Sequence, residues 1–153
     1  MERFLKSKLE NGQFSGVSTT RSRIMSSIRG KGNKTTEVTL RLALVRAGIS
    51  GWRLHAQDVP GRPDFFFPAQ RLAVFVDGCF WHGCPKCGHA PSTRREFWQA
   101  KIKRNRQRDH KTKWALHADS IRTLRVWEHS LRDARQISRV IRQIQALLSA
   151  PVV

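Results

Sequence analysis

One stretch of fourteen residues, Val74-Phe75-Val76-Asp77-Gly78-Cys79-Phe80-Trp81-His82-Gly83-Cys84-Pro85-Lys86-Cys87, holds a carboxylate, three thiols, an imidazole and two adjacent aromatic rings. Its β-branched and aromatic opening suits a pleated strand, and the Gly and Pro that follow break it into a loop. Chemistry commonly sits on loops carried by rigid strands. Cys84-Pro85-Lys86-Cys87 has the Cys-x-x-Cys spacing with which two thiolates grip one tetrahedral zinc, and Cys79 can supply a third sulfur. His129, His89 and His82 are the candidates for a fourth ligand; His129 would tie the last strand to this loop and gain stability from the metal. Four protein ligands leave no open position, so such a zinc is structural. The alternative for these thiols is a set of free, buried cysteines.

A second centre needs oxygen ligands. Asp64 opens the run Phe65-Phe66-Phe67 and Asp77 closes Leu72-Ala73-Val74-Phe75-Val76, so two adjacent strands bring both carboxylates towards one edge of a sheet. Clustered carboxylates repel unless a cation lies between them, and a hard divalent ion such as magnesium is the natural occupant, with the Val76 carbonyl as a further oxygen. Magnesium at a phosphate stabilises its developing charge, while a neutral His82 takes a proton from the attacking water. Together these residues describe metal-assisted phosphodiester hydrolysis.

The elements that must position them follow from periodicity. Residues 1–20 are polar and read as a mobile arm; Ile24, Met25 and Ile28 suggest a short helix after it, either packed on the core or offering Met25 as a wedge between base steps. Residues 36–47 read as a helix with a stripe of Val38, Leu42 and Val45, widened by Leu40, Ala43 and Leu44, and stopped by Gly48. Glu37 sits in its first turn, where an acid favours the helix dipole. Strands are expected at 52–57, 65–67, 72–76 and 121–127. A basic helix over 94–117 puts Trp98, Ile102, Asn105 and Asp109 on one stripe, so Asp109 needs a partner, either an arginine or a histidine such as His82. Lys101 and Asn105 share a face from which they reach base edges or phosphates. Leu131, Ala134, Ile137, Ile141, Ile144 and Leu148 mark a last helix packed on the sheet.

Composition narrows the partner. The 153 residues suit one domain, here 21–150, with a core that needs no disulfide staples. Lys plus Arg number 29 against 11 acids, a formal charge of +18, which attracts polyanions and favours nucleic acid over a membrane surface. Apolar runs are too short to span a bilayer, and Asn11-Gly12-Gln13 stand where a secretory segment would be apolar, so a cytoplasmic protein is expected.

Five motifs resemble those of the very short patch repair (Vsr) DNA mismatch endonucleases: Thr20-Arg21-Ser22 with Met25 and Ile28; Pro60-Gly61-Arg62-Pro63-Asp64-Phe65; Gly78-Cys79-Phe80-Trp81-His82; Arg95-Glu96-Phe97-Trp98 with Lys101, Asn105 and Asp109; and Val126-Trp127-Glu128. The resemblance spans about residues 19 to 131. It implies an α/β fold like the restriction endonucleases, a mixed central sheet flanked by helices with a structural zinc. It further implies a monomer that nicks one strand beside the thymine of a T:G mismatch, the product of 5-methylcytosine deamination, on bacterial nucleoid DNA, with mismatch-repair proteins and a DNA polymerase acting downstream. By position, Asp64 and the Val76 carbonyl resemble the magnesium ligands, His82 the general base, Asp109 its orienting acid and Glu37 a supporting acid. Phe80 and Trp81, helped by Met25, resemble an intercalating wedge, and Lys101 and Asn105 match positions near the mispaired bases. Unstacking costs less at a mismatch, which is consistent with a wedge. The sequence departs from the family pattern in its ligand types: the loop reads His-Gly-Cys-Pro-Lys-Cys, His129 follows Glu128, and position 77 is Asp where some relatives have His. Asp77 is then an added metal ligand or a contact to the scissile phosphate.

Overall fold

In the computed structural model, which describes residues 36–88, 91–92 and 94–151, the Phe65-Phe66-Phe67 run forms a strand buried on both faces. It is β2 of a four-stranded sheet among the described residues, ordered β1 (Arg53–Leu54), β2 (Phe65–Phe67), β3 (Leu72–Asp77) and β4 (Arg122–Trp127). β1 with β2 and β2 with β3 pair antiparallel, whereas β3 and β4 run parallel from Leu72 opposite Arg122 to Asp77 opposite Trp127. A parallel pair needs a long crossover. Here it includes the loop after β3 and the helix α2 (Arg95–Ala118), long enough to cover a face of the sheet.

Side chains alternate along a strand, and the alternation sorts the core into two layers. Phe65, Phe67, Leu72, Val74, Leu124 and Val126 face α1 (Glu37–Arg46) and α3 (Ala134–Ser149), meeting Leu40, Leu44, Val140, Ile141 and Ile144. Phe66, Ala73 and Phe75 point the other way, into a second cluster with Leu116 of α2. Asp77 continues the Ala73, Phe75 series and Arg125 lies opposite Phe75, so the same period of two directs both charges towards the α2 side. There they meet each other.

The helices correct part of the sequence reading. On α1 the buried residues are Glu37, Leu40 and Leu44, while Leu42 and Val45 are half or more exposed, 50% and 59%. The expected Val38, Leu42, Val45 stripe is therefore not the core face; with apolar residues on most of the helix, periodicity cannot choose between two stripes one residue apart. β1 occupies only two residues of the expected 52–57 strand. Leu131 belongs to a 3-10 turn, Glu128–Leu131, and α3 starts after Asp133, whose Oδ1 accepts the Gln136 N–H at 2.8 Å as an N-cap. The 1–20 arm and the Met25, Ile28 segment lie outside the described residues. Among the described residues no helix is long and apolar enough to cross a membrane.

Antiparallel pairing places the start of β2 beside the end of β3, and parallel pairing places the end of β4 beside it as well. Asp64, Asp77 and Glu128 thus come to one edge of the sheet. The turn before Asp64 is held by Gly61, at φ +78°, whose added Cβ would lie 2.2 Å from Thr112 Cγ2 on α2 and 3.3 Å from Phe75. Only glycine combines that backbone with that closeness. Gly61→Ala is expected to lower stability by about 1–3 kcal/mol, read from denaturant midpoints, through strain at the α2 contact.

Candidate functional site

At the start of β2, Asp64 Oδ2 accepts the Val76 N–H at 2.7 Å, which locks the carboxylate against the neighbouring strand. Across the cluster, His55 Nε2 lies 3.0 Å from Glu37 Oε1, and His55 Nδ1 lies 4.0 Å from Asp64 Oδ1. One ligand atom from each of Glu37, His55 and Asp64 falls within 4.8 Å of the others. Burial pushes the Asp64 carboxyl up; the Val76 N–H works against this, but the nearby Glu37 and Asp77 charges add to the rise. Among the described residues His55 Nδ1 is buried with no hydrogen-bond partner. Two carboxylates and an imidazole with ligand atoms this close to one another suit a divalent cation. His55 was not singled out from the sequence, because it follows a two-residue strand at φ +49° and reaches Glu37 across the fold.

The second group gathers on the α2 side. His82 Nδ1 lies 2.7 Å from Asp109 Oδ2, joining the loop after β3 to the middle of α2. The Trp98, Ile102, Asn105, Asp109 stripe faces this loop as spacing predicts: Asn105 Nδ2 donates to the Trp81 carbonyl at 2.8 Å. Gly83, at φ +61°, sits so close to α2 that an added Cβ would meet Ile102 at 2.8 Å. Arg125 then joins the two acids. It donates to both oxygens of Asp77, through Nη2 at 2.8 Å and through Nε, and its Nη2 lies 3.2 Å from Asp109 Oδ1. Burial raises the Asp109 carboxyl, but the hydrogen bond from His82 and the His82 and Arg125 charges outweigh it and hold the group below the usual carboxylate range.

The Asp77 side chain is only 4% exposed, and its partner among the described residues is the Arg125 guanidinium. His82, Asp109 and Arg125 line a cleft of about 270 Å³, with Arg106, His110 and Lys113 beside them. A basic rim around an imidazole fits a phosphate.

The third group is metal-like. His129 Nδ1 lies 3.3 Å from Cys79 Sγ, 3.5 Å from Cys84 Sγ and 3.6 Å from Cys87 Sγ, and Cys84 and Cys87 are 3.7 Å apart. Ligands at about 2.3 Å for sulfur and 2.0 Å for nitrogen around a tetrahedral ion stand roughly 3.5–3.8 Å from one another, so the four atoms fit one closed site. His82 is engaged with Asp109, and His89 lies outside the described residues. Burial pushes the Cys79 thiol up to about 12, whereas at Cys84 burial is outweighed by the Lys86 and Cys87 amides, which lower it. Glu128 Oε2 accepts the Cys79 N–H at 3.2 Å, pinning the loop to the end of β4.

Residues 17–87 match the family model described as DNA mismatch endonuclease Vsr. The chain is 40% identical over 123 residues to the Type II nicking enzyme V.XorIIP of Xanthomonas oryzae pv. oryzae, covering 79% of this chain and 88% of that one. The chain belongs to the Vsr family. It is also 43% identical over 119 residues to the Type II nicking enzyme V.NaeI of Lentzea aerocolonigenes, covering 74% and 71% of the two chains, and 37% identical over 122 residues to the DNA mismatch endonuclease Vsr of Escherichia coli, covering 78% and 76%. This Vsr-family protein is a DNA endonuclease, a hydrolase of phosphodiester bonds, and DNA is its substrate.

Near the Vsr-family site the two adjacent aromatics sit in a cluster. Phe80 and Trp81 meet edge to face at 5.0 Å, and Trp98 lies 5.1 Å from Phe80 and 6.0 Å from Trp81. Lys101 Nζ stands 5.2 Å from the Trp81 ring and 5.5 Å from that of Trp98, and burial lowers its pKa. Arg125, like His55, went unmarked in the sequence. The available signal was the period of two in β4, which places one arginine on the same face as Asp77.

Purified protein is expected to carry about one tightly held metal atom per chain in the Cys79, Cys84, Cys87, His129 site. Elemental analysis measures it, and Cys84→Ala should lose the metal and lower the melting temperature; a metal-free protein of unchanged stability would remove the site.

Proposed function

We propose that this Vsr-family endonuclease nicks one strand beside the thymine of a T:G mismatch, with magnesium at Asp64 and a structural zinc at Cys79, Cys84, Cys87 and His129. The observation that carries the reading is the 2.7 Å contact of His82 Nδ1 with Asp109, made by the loop that leaves β3 at the end of the sheet where Asp64 also lies. A restriction-endonuclease-like arrangement is consistent with the four-stranded mixed sheet and its covering helices. The protein is read as one domain over 21–150, acting as a monomer on cytoplasmic DNA.

Asp64 and the Val76 carbonyl, supported by Glu37, would hold magnesium, which would supply positive charge at the phosphate. His82 does the proton chemistry. With its Nδ1–H given to Asp109, Nε2 carries the lone pair and removes a proton from the attacking water. Asp109 fixes the tautomer and the ring plane. Basic residues along α2 draw the backbone in, and such contacts position a duplex without reading its sequence. Reading belongs to Phe80 and Trp81, entering the stack as a wedge, with Lys101 and Asn105 close to the mispaired bases and Met25 and Ile28 added from the N-terminal segment. Mismatch-repair proteins and a DNA polymerase would then act on the nick.

A second reading, a site-specific nickase without mismatch preference, is favoured by the names of several relatives. One assay separates the two. On duplexes with the same flanks, nicking is expected at T:G in magnesium and not at C:G or without a divalent ion; equal rates on T:G and C:G would overturn the mismatch reading. Asp64→Ala and His82→Ala should each retain duplex binding while cutting at least roughly 100-fold more slowly. Full activity in either would remove that residue from the reaction.

A further inference from the structure

We propose that Arg125 is a positioning residue: by holding Asp77 and Asp109 together, it keeps the His82 imidazole bound to Asp109 through Nδ1 and leaves Nε2 open. The proposal rests on the reading of His82 as the base. Three features of the geometry support it.

The first is the coordination of the guanidinium. Arg125 engages both Asp77 oxygens, reaches Asp109 Oδ1 at 3.2 Å through the same Nη2 that donates to Asp77 Oδ1, and rests with Cζ 5.5 Å from the Phe75 ring. A planar fork of five donors spans two carboxylates in a way that a point-like ammonium does not. The second is burial. Asp77, Asp109 and Arg125 are 4%, 19% and 27% exposed, so neither acid has much water to stabilise its charge, and each requires a fixed cation.

The third concerns the imidazole directly. His82 stands between the two acids, with Nδ1 2.7 Å from Asp109 Oδ2 and 3.4 Å from Arg125 Nη2, and Nε2 3.8 Å from Asp77 Oδ1. The Arg125 donor is already given to Asp77 at 2.8 Å, so the nearer carboxylate is the partner of Nδ1. An Asp77 released from Arg125 would compete for His82 at the nitrogen that must stay free of a proton. One imidazole between two unheld carboxylates has two tautomers available; with both Asp77 oxygens held, Asp109 is the better acceptor and one tautomer prevails. No sequence-local contact does this. Asp77 and Arg125 are 48 residues apart and meet only through the parallel register.

The test uses the metal-loaded protein with magnesium and a T:G duplex, comparing single-turnover nicking with duplex affinity measured without magnesium. Arg125→Leu is expected to slow nicking roughly 10- to 100-fold through misplacement of the base, with duplex Kd changed by less than about threefold. Asp77→Asn in the Arg125→Leu background should recover most of the loss, because the competing carboxylate is gone, and Arg125→Lys should fall between. Long-range proton–nitrogen spectra of the imidazole should show Nδ1–H in the native protein and a shift towards Nε2–H in Arg125→Leu, a change that mere loosening of the fold does not produce. Wild-type nicking in Arg125→Leu, with His82→Ala inactive, overturns the role of Arg125 alone; an active His82→Ala overturns the reading of the base and this proposal with it. Loss of duplex affinity in Arg125→Leu that the double variant does not restore would make Arg125 a phosphate contact instead, and overturn it. If Arg125→Leu does not fold, the double variant and Arg125→Lys decide: a stable double variant that stays slow also overturns the proposal.

Discussion

Parallel pairing of Leu72–Asp77 with Arg122–Trp127 obliges the chain to travel the length of the sheet before it can form β4, and α2 makes that journey across the face bearing Phe66, Ala73 and Phe75. Much of the site's geometry is a consequence of that pairing. Register sets Asp77 level with Trp127, so the chain leaving β4 passes the loop leaving β3, and Glu128 and His129 arrive beside Cys79. Alternation turns Asp77 and Arg125 to the side that α2 covers, where Asp109 is waiting. A slip of one residue in β4 would send Arg125 into the apolar layer under α1 and α3.

The loop from Gly78 to Gly88 serves two centres at once. Cys79 and Cys84 bracket His82, so the geometry of the Cys3His group sets where the imidazole-bearing segment begins and ends. Backbone bonds tighten the segment further: the His82 N–H donates to the Gly78 carbonyl and that of Cys84 to Cys79. From the other side α2 holds it through Asn105 on the Trp81 carbonyl and through the close approach of Gly83 to Ile102. With its backbone fixed on both flanks and its ring held by Asp109 at 2.7 Å, the His82 imidazole is preorganised.

Legibility in the sequence followed locality. The Phe65–Phe67 and Leu72–Asp77 strands are readable because apolar runs and their turn residues are contiguous, and the grouping of Cys79, Cys84 and Cys87 because thiol spacing is chemically restrictive; which of three histidines joins them is not, since His129 comes from 42 residues beyond Cys87. Asp109 was readable from helical spacing, which put it on the stripe with Trp98 and Ile102. Three features were not. His55 and Arg125 act through partners far away in the chain, and nothing local distinguishes a paired arginine in a basic protein from a solvated one. The Asp77–Arg125 pair is hidden for a related reason: two nearby acids imply a cation, but not which cation. On α1 the difficulty was different, since Val38, Leu40, Leu42, Ala43, Leu44 and Val45 leave several apolar stripes and only the sheet decides that Leu40 and Leu44 go inside.

The crossover also imposes an order in time. As the chain is made from its N-terminus, Asp64 and His82 emerge before α2, and α2 before Arg125 and His129. A nascent chain therefore carries the acid and the imidazole while still lacking the last strand, the guanidinium that joins the two aspartates and the nitrogen that completes the Cys3His group. Fragments ending within α2 hold Asp64 and His82 without the frame that aligns them. Late closure of the sheet therefore means that both centres are completed together, by the last strand and the turn that follows it.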